Sequence, residues 1–446
     1  MLAGDQIADA TNSCDVLVIG GGPAGSTVSA LLAQRGYQVA LLEKARHPRF
    51  HIGESLLPAN LPLLEELGVA EQVRGIGMMK WGAEFVSPWH EQTSTFHFSE
   101  AWDKSMPYAY QVRRSAFDEI LIRNAARKGA EVIEGCRVRA VDFDADGRAA
   151  SVCAAHDDGR TTRFRARFVI DASGRDTFLG NAFKAKHRHP KHNSAAMYAH
   201  FSGAKRHCGQ DEGNISIFWF EHGWFWLIPL SDGATSVGAV TWPYYMKRRD
   251  KPVCEFFLDT IATCPALAER LSDAQVVSEV EATGNYSYVC DRTHGPGFLL
   301  LGDAYAFIDP VFSSGVMLAM QSAFTGAETV DQCLREPARA AQALARFDRA
   351  MRHGPREFSW FIFRVTNPTM RHLIMNPRND LRMKEALLSV LAGDIFGRMP
   401  FRRSLYAFRV VYYLFSLGNL PRSIRAWKAR RRNIRVTQEA GAPAGS

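Results

Sequence analysis

Gly20-Gly21-Gly22-Pro23-Ala24-Gly25 lies directly between a short apolar run, residues 15–19, and a helix-like run, residues 26–36. In that setting the glycines have separate tasks. Gly20 permits a tight turn, Gly22 lets backbone approach a pyrophosphate, and Gly25 allows close packing of the following helix. The start of that helix, at Pro23 and Ala24, offers unpaired N–H groups to phosphates. Glu43 closes the next apolar run, 18 residues after Gly25, where it can accept from a ribose hydroxyl. Two later apolar runs also end in acids, at Asp171 and at Gly302-Asp303, and Asp303 additionally suits a helix N-cap. A different chemistry is suggested by Gly223-Trp224-Phe225-Trp226-Leu227-Ile228-Pro229. With strand periodicity Trp224 and Trp226 share one face and build an indole wall. Taken alone, that run reads equally as aromatic core packing.

Positioning these residues requires strands and helices in alternation, so the expected class is mixed α/β with a GxGxxG Rossmann-like domain over residues 14–330. Residues 1–13 read as a disordered leader. Between about 177 and 290 the sequence becomes strand-like, around 196–201, 215–220, 223–229 and 234–241. That stretch is expected to form an inserted antiparallel sheet, the substrate layer. Residues 316–352 have a helical pattern, and a helical C-terminal region with a basic tail is expected over 331–436, with helices near 381–392 and 406–417. Residues 437–446 read as disordered.

Three segments together, 111–118, 167–175 and 297–304, resemble the FAD-binding fold of the aromatic hydroxylase superfamily. The resemblance implies a flavin contact for Asp303 through the ribityl or pyrophosphate portion. It also implies FAD-binding places for Arg114, Asp171, Gly302 and Pro310. No second GxGxxG occurs in a strand-helix setting, so a separate flavin reductase, or transient nicotinamide access, would have to deliver reducing equivalents as FADH2.

Four local patterns, in order along the chain, resemble the flavin-dependent halogenases. Gly53-Glu54-Ser55 follows the first flavin segment, and Lys80 stands in Met79-Lys80-Trp81-Gly82-Ala83. Gly223 to Pro229 matches a WxWxIP signature, and Phe307-Ile308-Asp309-Pro310-Val311-Phe312-Ser313-Ser314-Gly315 matches FxxPxxSxG. The resemblance spans residues 14–400. It implies an enzyme in which reduced FAD and O2 convert chloride or bromide into hypohalous acid. Ser314 and Gly315 are the implied halide site, since backbone N–H groups beside glycine leave room for a small anion. Lys80 is the implied catalytic lysine, meeting hypohalous acid as a haloamine or through a hydrogen bond. Partial burial would favour its neutral form. Trp224 and Trp226 would stand between flavin and organic substrate. Phe312 occupies the place where tryptophan-type members carry a glutamate, so the chain resembles the phenol and pyrrole subgroup, whose substrates include aromatics on an acyl or peptidyl carrier protein. Free tryptophan is disfavoured. Rival readings are a flavin monooxygenase or a polyene/isoprenoid reductase of the same superfamily, and a non-enzymatic flavoprotein-like scaffold.

Composition is that of an ordinary globular protein, with 46% hydrophobic and 22% charged residues. No run approaches the roughly eighteen apolar residues of a spanning helix. The first residues lack the pattern of a secretory signal, so the expected compartment is the cytoplasm. The eight cysteines are scattered, which argues against a disulfide framework or a metal site. Of the formal charge of +8, ten Arg and Lys fall in residues 401–438 without one acid, leaving −2 for the remainder. Aromatic residues interleave with these cations. Such a tail suits the inner face of a membrane or an acidic carrier protein, or else packs on the body with a solvated arginine face. No nucleic-acid motif accompanies the charge.

Overall fold

The computed structural model describes residues 11–435, apart from 148, 190, 191, 285 and 286. The expected disorder of 1–10 and 437–446 lies outside the described residues. Residues 11–13, read above as leader, belong instead to the first strand, Thr11–Ile19, because Thr11 to Ser13 pair with Arg163 to Arg165.

The first sheet has eight strands. Thr11–Ile19 lies between Val39–Glu43 and Thr161–Asp171, and Phe298–Leu300 and Glu131–Glu134 flank these, all in parallel register. Val39–Glu43 is buried at every position, which suits a parallel strand covered on both faces. Helix Pro23–Gln34 packs on one face, and a Cβ at Gly25 would collide with the carbonyl of Gly20. That collision explains the third glycine: only without a side chain can the helix approach the turn.

The second eight-stranded sheet is the expected insertion, enlarged. Ala195–Ser202, Thr235–Thr241, Gly223–Pro229 and Ile215–Phe220 form its antiparallel centre. Two strands from far earlier, Gly82–Val86 and Ser94–His97, complete the edge beyond Ile215–Phe220. The insertion is therefore built from two parts of the chain, a correction to the 177–290 boundaries. Both faces of this sheet are covered. Trp224, Trp226 and Ile228 point to a core shared with the C-terminal helices, while Phe225 and Leu227 meet Phe257, Ile261 and Leu267 on the other side. Burying each of these large side chains contributes about 1.5–3 kcal/mol, so the strand is anchored from two directions.

The helical pattern over 316–352 resolves into two helices, Gly315–Arg335 and Ala340–Ile362, separated by a short 3-10 turn that begins at Pro337. Proline cannot continue the preceding helix, which accounts for the break. Gly315–Arg335 runs through position 330, so the helical region grows out of the flavin-binding half without interruption there. Helices Pro368–Met375, Met383–Leu391, Arg402–Gly418 and Leu420–Arg435 follow. Among the described residues no helix is long and apolar enough to cross a membrane.

Candidate active site

At the carboxyl ends of the parallel strands lies a cavity of about 430 Å³, within the range typical of small-molecule sites. Gly20, Gly22, Pro23, Ala24 and Glu43 line it. Gly20 has φ of +100°, and a Cβ there would strike the carbonyl of Ala172, so the turn requires glycine. Glu43 accepts from the backbone N–H of Gly21 at 2.6 Å and of Ala45 at 2.8 Å, holding the turn while still facing the cavity. Arg49 stands 3.9 Å from that carboxylate.

Arg114 lines the same cavity and is fixed by Asp118, to which it donates at 2.8 and 3.0 Å, and by the carbonyl of Ile52 at 2.9 Å. Burial alone would raise the Asp118 carboxyl, but Arg114 and Arg49 beside it hold it below the usual carboxylate range. Asp303 faces the cavity half-buried, and burial pushes its carboxyl up to about 6 despite Arg114 and Arg175. A half-buried acid lining a cavity fits a ligand that brings donor hydroxyls, such as a ribityl chain. The glycine cradle, the arginines and Asp303 together fit FAD.

Three of the residues expected to hold FAD shape the site from behind. Asp171 accepts from the N–H groups of Ser173 and Leu179, at 2.9 and 2.7 Å, and so fixes the turn that carries Ser173 and Gly174 into the cavity wall. Gly302, with φ of +52°, packs against Ala319, and Gly25 serves the helix packing described above. Correspondingly, none of the three lines the cavity.

The same cavity is also lined by Trp224, Trp226, Pro310, Ser314 and Gly315. The indoles are 6.0 Å apart, and Trp226 Nε1 donates to Ser236 Oγ at 3.1 Å. Opposite Trp226 on the neighbouring strand is Gly238, where any Cβ would enter the indole. Gly315 begins helix Gly315–Arg335, whose first-turn N–H groups lack intrahelical partners and carry the positive end of its dipole. Apart from its chain neighbours and its own helix backbone, no atom of the described residues lies within 4 Å of where a Gly315 Cβ would stand, so this helix end has free space beside it. That is a suitable place for a small anion.

The loop before Ser314 is held from a distance. The Asp309 carboxylate accepts from Val311 N at 3.2 Å, Ser194 Oγ at 3.0 Å and His192 Nε2 at 2.9 Å. Arg430 donates to His192 Nδ1 at 3.3 Å, which makes Nδ1 the acceptor and leaves the Nε2 proton for Asp309. Residues 194, 309 and 430 come together only in the fold.

Lys80 ends strand Met78–Lys80, which pairs with Ala109–Gln111. Only 1% exposed, it does not line the cavity. Its Nζ donates to Ser55 Oγ at 2.9 Å and to the carbonyl of Leu56 at 3.1 Å, above the ring of Phe98. Ser55 does line the cavity, so one hydroxyl separates the amine from it. Burial lowers the Lys80 amine to about 7, giving a substantial neutral fraction at neutral pH. Next to Ser55, Glu54 faces the cavity and pairs with His200 Nε2 at 2.8 Å, while its Oε2 is buried without a hydrogen-bond partner among the described residues. His200 carries no sequence signal, because it stands in a different strand with ordinary strand neighbours. Phe312, where a glutamate stands in tryptophan-type members, is buried in the core cluster that includes the two indoles.

Comparison with known proteins agrees with this geometry. Residues 13–352 match the model of the FAD binding domain family. A tryptophan 2-halogenase of Chondromyces crocatus is 35% identical over 331 residues, 72% of this chain and 61% of that protein's length. A 1H-pyrrole-2-carbonyl-[peptidyl-carrier protein] chlorinase of Pseudomonas fluorescens is 29% identical over 86% of this chain and 90% of its own. Among solved structures, the myxobacterial chondrochloren halogenase CndH, a FAD-dependent halogenase, superposes with a TM-score of 0.76 and 34% identity, covering 87% of this chain and 92% of that one.

Proposed function

The chain belongs to the flavin-dependent halogenases, and from that premise we propose that it halogenates an electron-rich aromatic of the phenol or pyrrole type, using FADH2 from a separate flavin reductase, O2, and chloride or bromide. The observation that carries this reading is one cavity lined by the Gly315 helix end, the two indoles and Ser55, with the buried Lys80 amine bonded to Ser55.

Gly20, Gly22, Glu43, Arg114 and Asp303 would hold FAD, which when bound supplies the oxygen-activating chemistry that makes halide electrophilic. The Gly315 helix end would hold halide beside it by its N–H groups. Trp224 and Trp226 exclude the organic substrate from this end, so that only a molecule as small as hypohalous acid passes. Lys80, near 7, then takes the halogen: its neutral amine attacks the halogen of HOCl or HOBr and water leaves, giving an N–halogen bond next to the substrate. In the alternative, its protonated form donates a hydrogen bond that aims HOCl or HOBr at one ring position. The phenol or pyrrole preference is supported by Phe312 in place of an assisting carboxylate, since an activated ring needs less help. A carrier-bound substrate is supported by the named specificity of the Pseudomonas fluorescens relative.

The test supplies purified protein with FAD, NADH, a flavin reductase, oxygen and bromide or chloride, and follows free and carrier-bound phenols and pyrroles by mass spectrometry. Halide-dependent mass shifts that vanish in Lys80→Ala are expected. Hydroxylated product independent of halide, or full halogenation by Lys80→Ala, would overturn the reading.

A further inference from the structure

Helix Arg402–Gly418 has two apolar faces, of which only one is covered among the described residues. In helix Arg402–Gly418, Leu405, Phe408 and Tyr412 are buried against the body. Tyr406, Val410, Leu414 and Leu417 recur at helical spacing on the opposite side, and there Leu414 is 60% and Leu417 64% exposed. Helix Leu420–Arg435 adds Ile424 and Trp427, the latter 54% exposed. At about 1.5 Å per residue each helix is roughly 25 Å long, so the exposed apolar surface is extended rather than a single spot.

Cations accompany this surface. Of the tail's basic residues, Arg409 pairs with Glu357 at 2.7 Å and Arg430 turns inward to His192. Arg402, Arg403, Arg422, Arg425, Lys428 and Arg432 are exposed, in a stretch of sequence that contains no acid. Arg431 lies 4.5 Å above the Trp427 ring. Beside the pair, Arg371 lies 3.7 Å over the half-exposed ring of Trp89, and His372 is near both His90, at 6.0 Å, and Phe415, at 6.1 Å. Burial first, and then the charge of Arg422, lowers the Arg371 guanidinium to about 10, and burial together with the neighbouring His372, Arg371 and Arg422 lowers His90. Positive groups are thus gathered against one another next to an uncovered apolar face.

From this surface we infer that the protein lies on an anionic lipid bilayer, with Tyr406, Val410, Leu414, Leu417, Ile424 and Trp427 entering the headgroup and acyl boundary and the tail arginines meeting lipid phosphates. A bilayer satisfies both features of the surface at once: apolar side chains enter hydrocarbon, and arginines and aromatics remain at the interface. A second copy of the chain would cover the apolar face but press like charges together. An acidic protein partner would match the arginines yet leave much of the two-helix apolar face in water. The helices lie on the membrane and do not cross it.

Binding can be measured without turnover, so its outcome is independent of the halogenation reading. The full chain with FAD is sedimented with vesicles of phosphatidylcholine alone or with phosphatidylglycerol added. Binding to the anionic vesicles, weakened as salt shortens the Debye length, is expected. Leu414→Glu/Leu417→Glu/Ile424→Glu is expected to lower vesicle affinity by about tenfold or more with unchanged melting temperature and FAD binding, because all three side chains are exposed. Arg422→Ala/Arg425→Ala/Lys428→Ala is expected to lose the preference for anionic lipid while keeping the same fold. Failure to sediment with phosphatidylglycerol vesicles at low salt would overturn the inference, as would wild-type affinity in the triple glutamate variant. A stable dimer dissolved by that variant, or displacement of vesicles by an acidic carrier protein, would assign the face to another partner and overturn it equally.

Discussion

Replacing Lys80 by methionine keeps the length of the side chain and removes its titration, which makes stability against pH a direct readout of burial. Lysine ordinarily titrates at 10.5, and burial holds Lys80 at about 7. Below pH 7 the amine is protonated in the folded and unfolded protein alike, and the full burial penalty is present. Above pH 7 the folded protein releases the proton while the unfolded chain keeps it up to about 10.5, so stability rises with pH. At about 1.4 kcal/mol per pH unit the whole window is worth about 5 kcal/mol, of which about 2 kcal/mol falls between pH 7 and 9. The two hydrogen bonds to Ser55 and Leu56 lost in Lys80→Met, each worth about 1 kcal/mol, add an offset that does not vary with pH in this way. Groups that titrate identically in both proteins cancel in the difference. Urea unfolding of wild type and Lys80→Met is therefore expected to show the variant's relative advantage greatest below pH 7 and smaller by about 2 kcal/mol at pH 9. A difference that stays flat across that range would refute the buried, neutral amine.

Gly315→Ala is expected to fold at least as stably as wild type, since alanine is favoured over glycine in a helix by up to about 1 kcal/mol. Its methyl would occupy the free space at the helix end, and steady-state kinetics should show the KM for halide raised about tenfold, equivalent to about 1.4 kcal/mol. Asp303, raised to about 6 by burial, is protonated in the ligand-free protein at pH 5 and ionised at pH 7. Donor hydroxyls favour the ionised form, so FAD affinity, followed by fluorescence quenching, should rise between those values in wild type and be flat in Asp303→Asn. Gly238→Ala places a methyl inside the Trp226 indole and should destabilise by about 1–3 kcal/mol in denaturant titrations. By moving the wall it should also divert reduced flavin to hydrogen peroxide, measured as peroxide formed per halogenated product.

The flavin cradle was legible in the sequence because its physical requirement is local. At Gly20 and Gly25 only the absence of a side chain permits the turn and the helix approach, and the flanking apolar runs can be read without knowledge of the rest of the fold. The parity of Trp224 and Trp226 was equally local, and both indoles line the cavity. What the sequence did not disclose depends on distant pairing. Gly82–Val86 joins Ile215–Phe220 across more than a hundred residues, so an enlarged second sheet could not be read from the strand-like stretch alone. The burial of Lys80 has the same origin: nothing in Met79-Lys80-Trp81 shows that Ser55 and Leu56 will close over the amine. Asp171 has the residue type of a ligand contact yet is consumed by two backbone N–H groups. The Arg430, His192 and Asp309 chain links the last described helix to the loop before Ser314 with no common motif. In the tail, the mixture of aromatic and basic residues was visible, but which face of Arg402–Gly418 is buried is decided by its packing on the body.

The proposed division of labour between the flavin and Lys80 is tested most directly by one comparison. Wild type and Lys80→Met are each given FADH2, oxygen and bromide, with a small hypohalous-acid scavenger and an accepted aromatic substrate, and both halogenated products are quantified by mass spectrometry. If the flavin end makes HOBr and Lys80 delivers it, Lys80→Met should halogenate the scavenger at the wild-type rate while substrate halogenation falls at least a hundredfold, about 2.7 kcal/mol. Loss of both products together, or wild-type substrate halogenation in the variant, would contradict it.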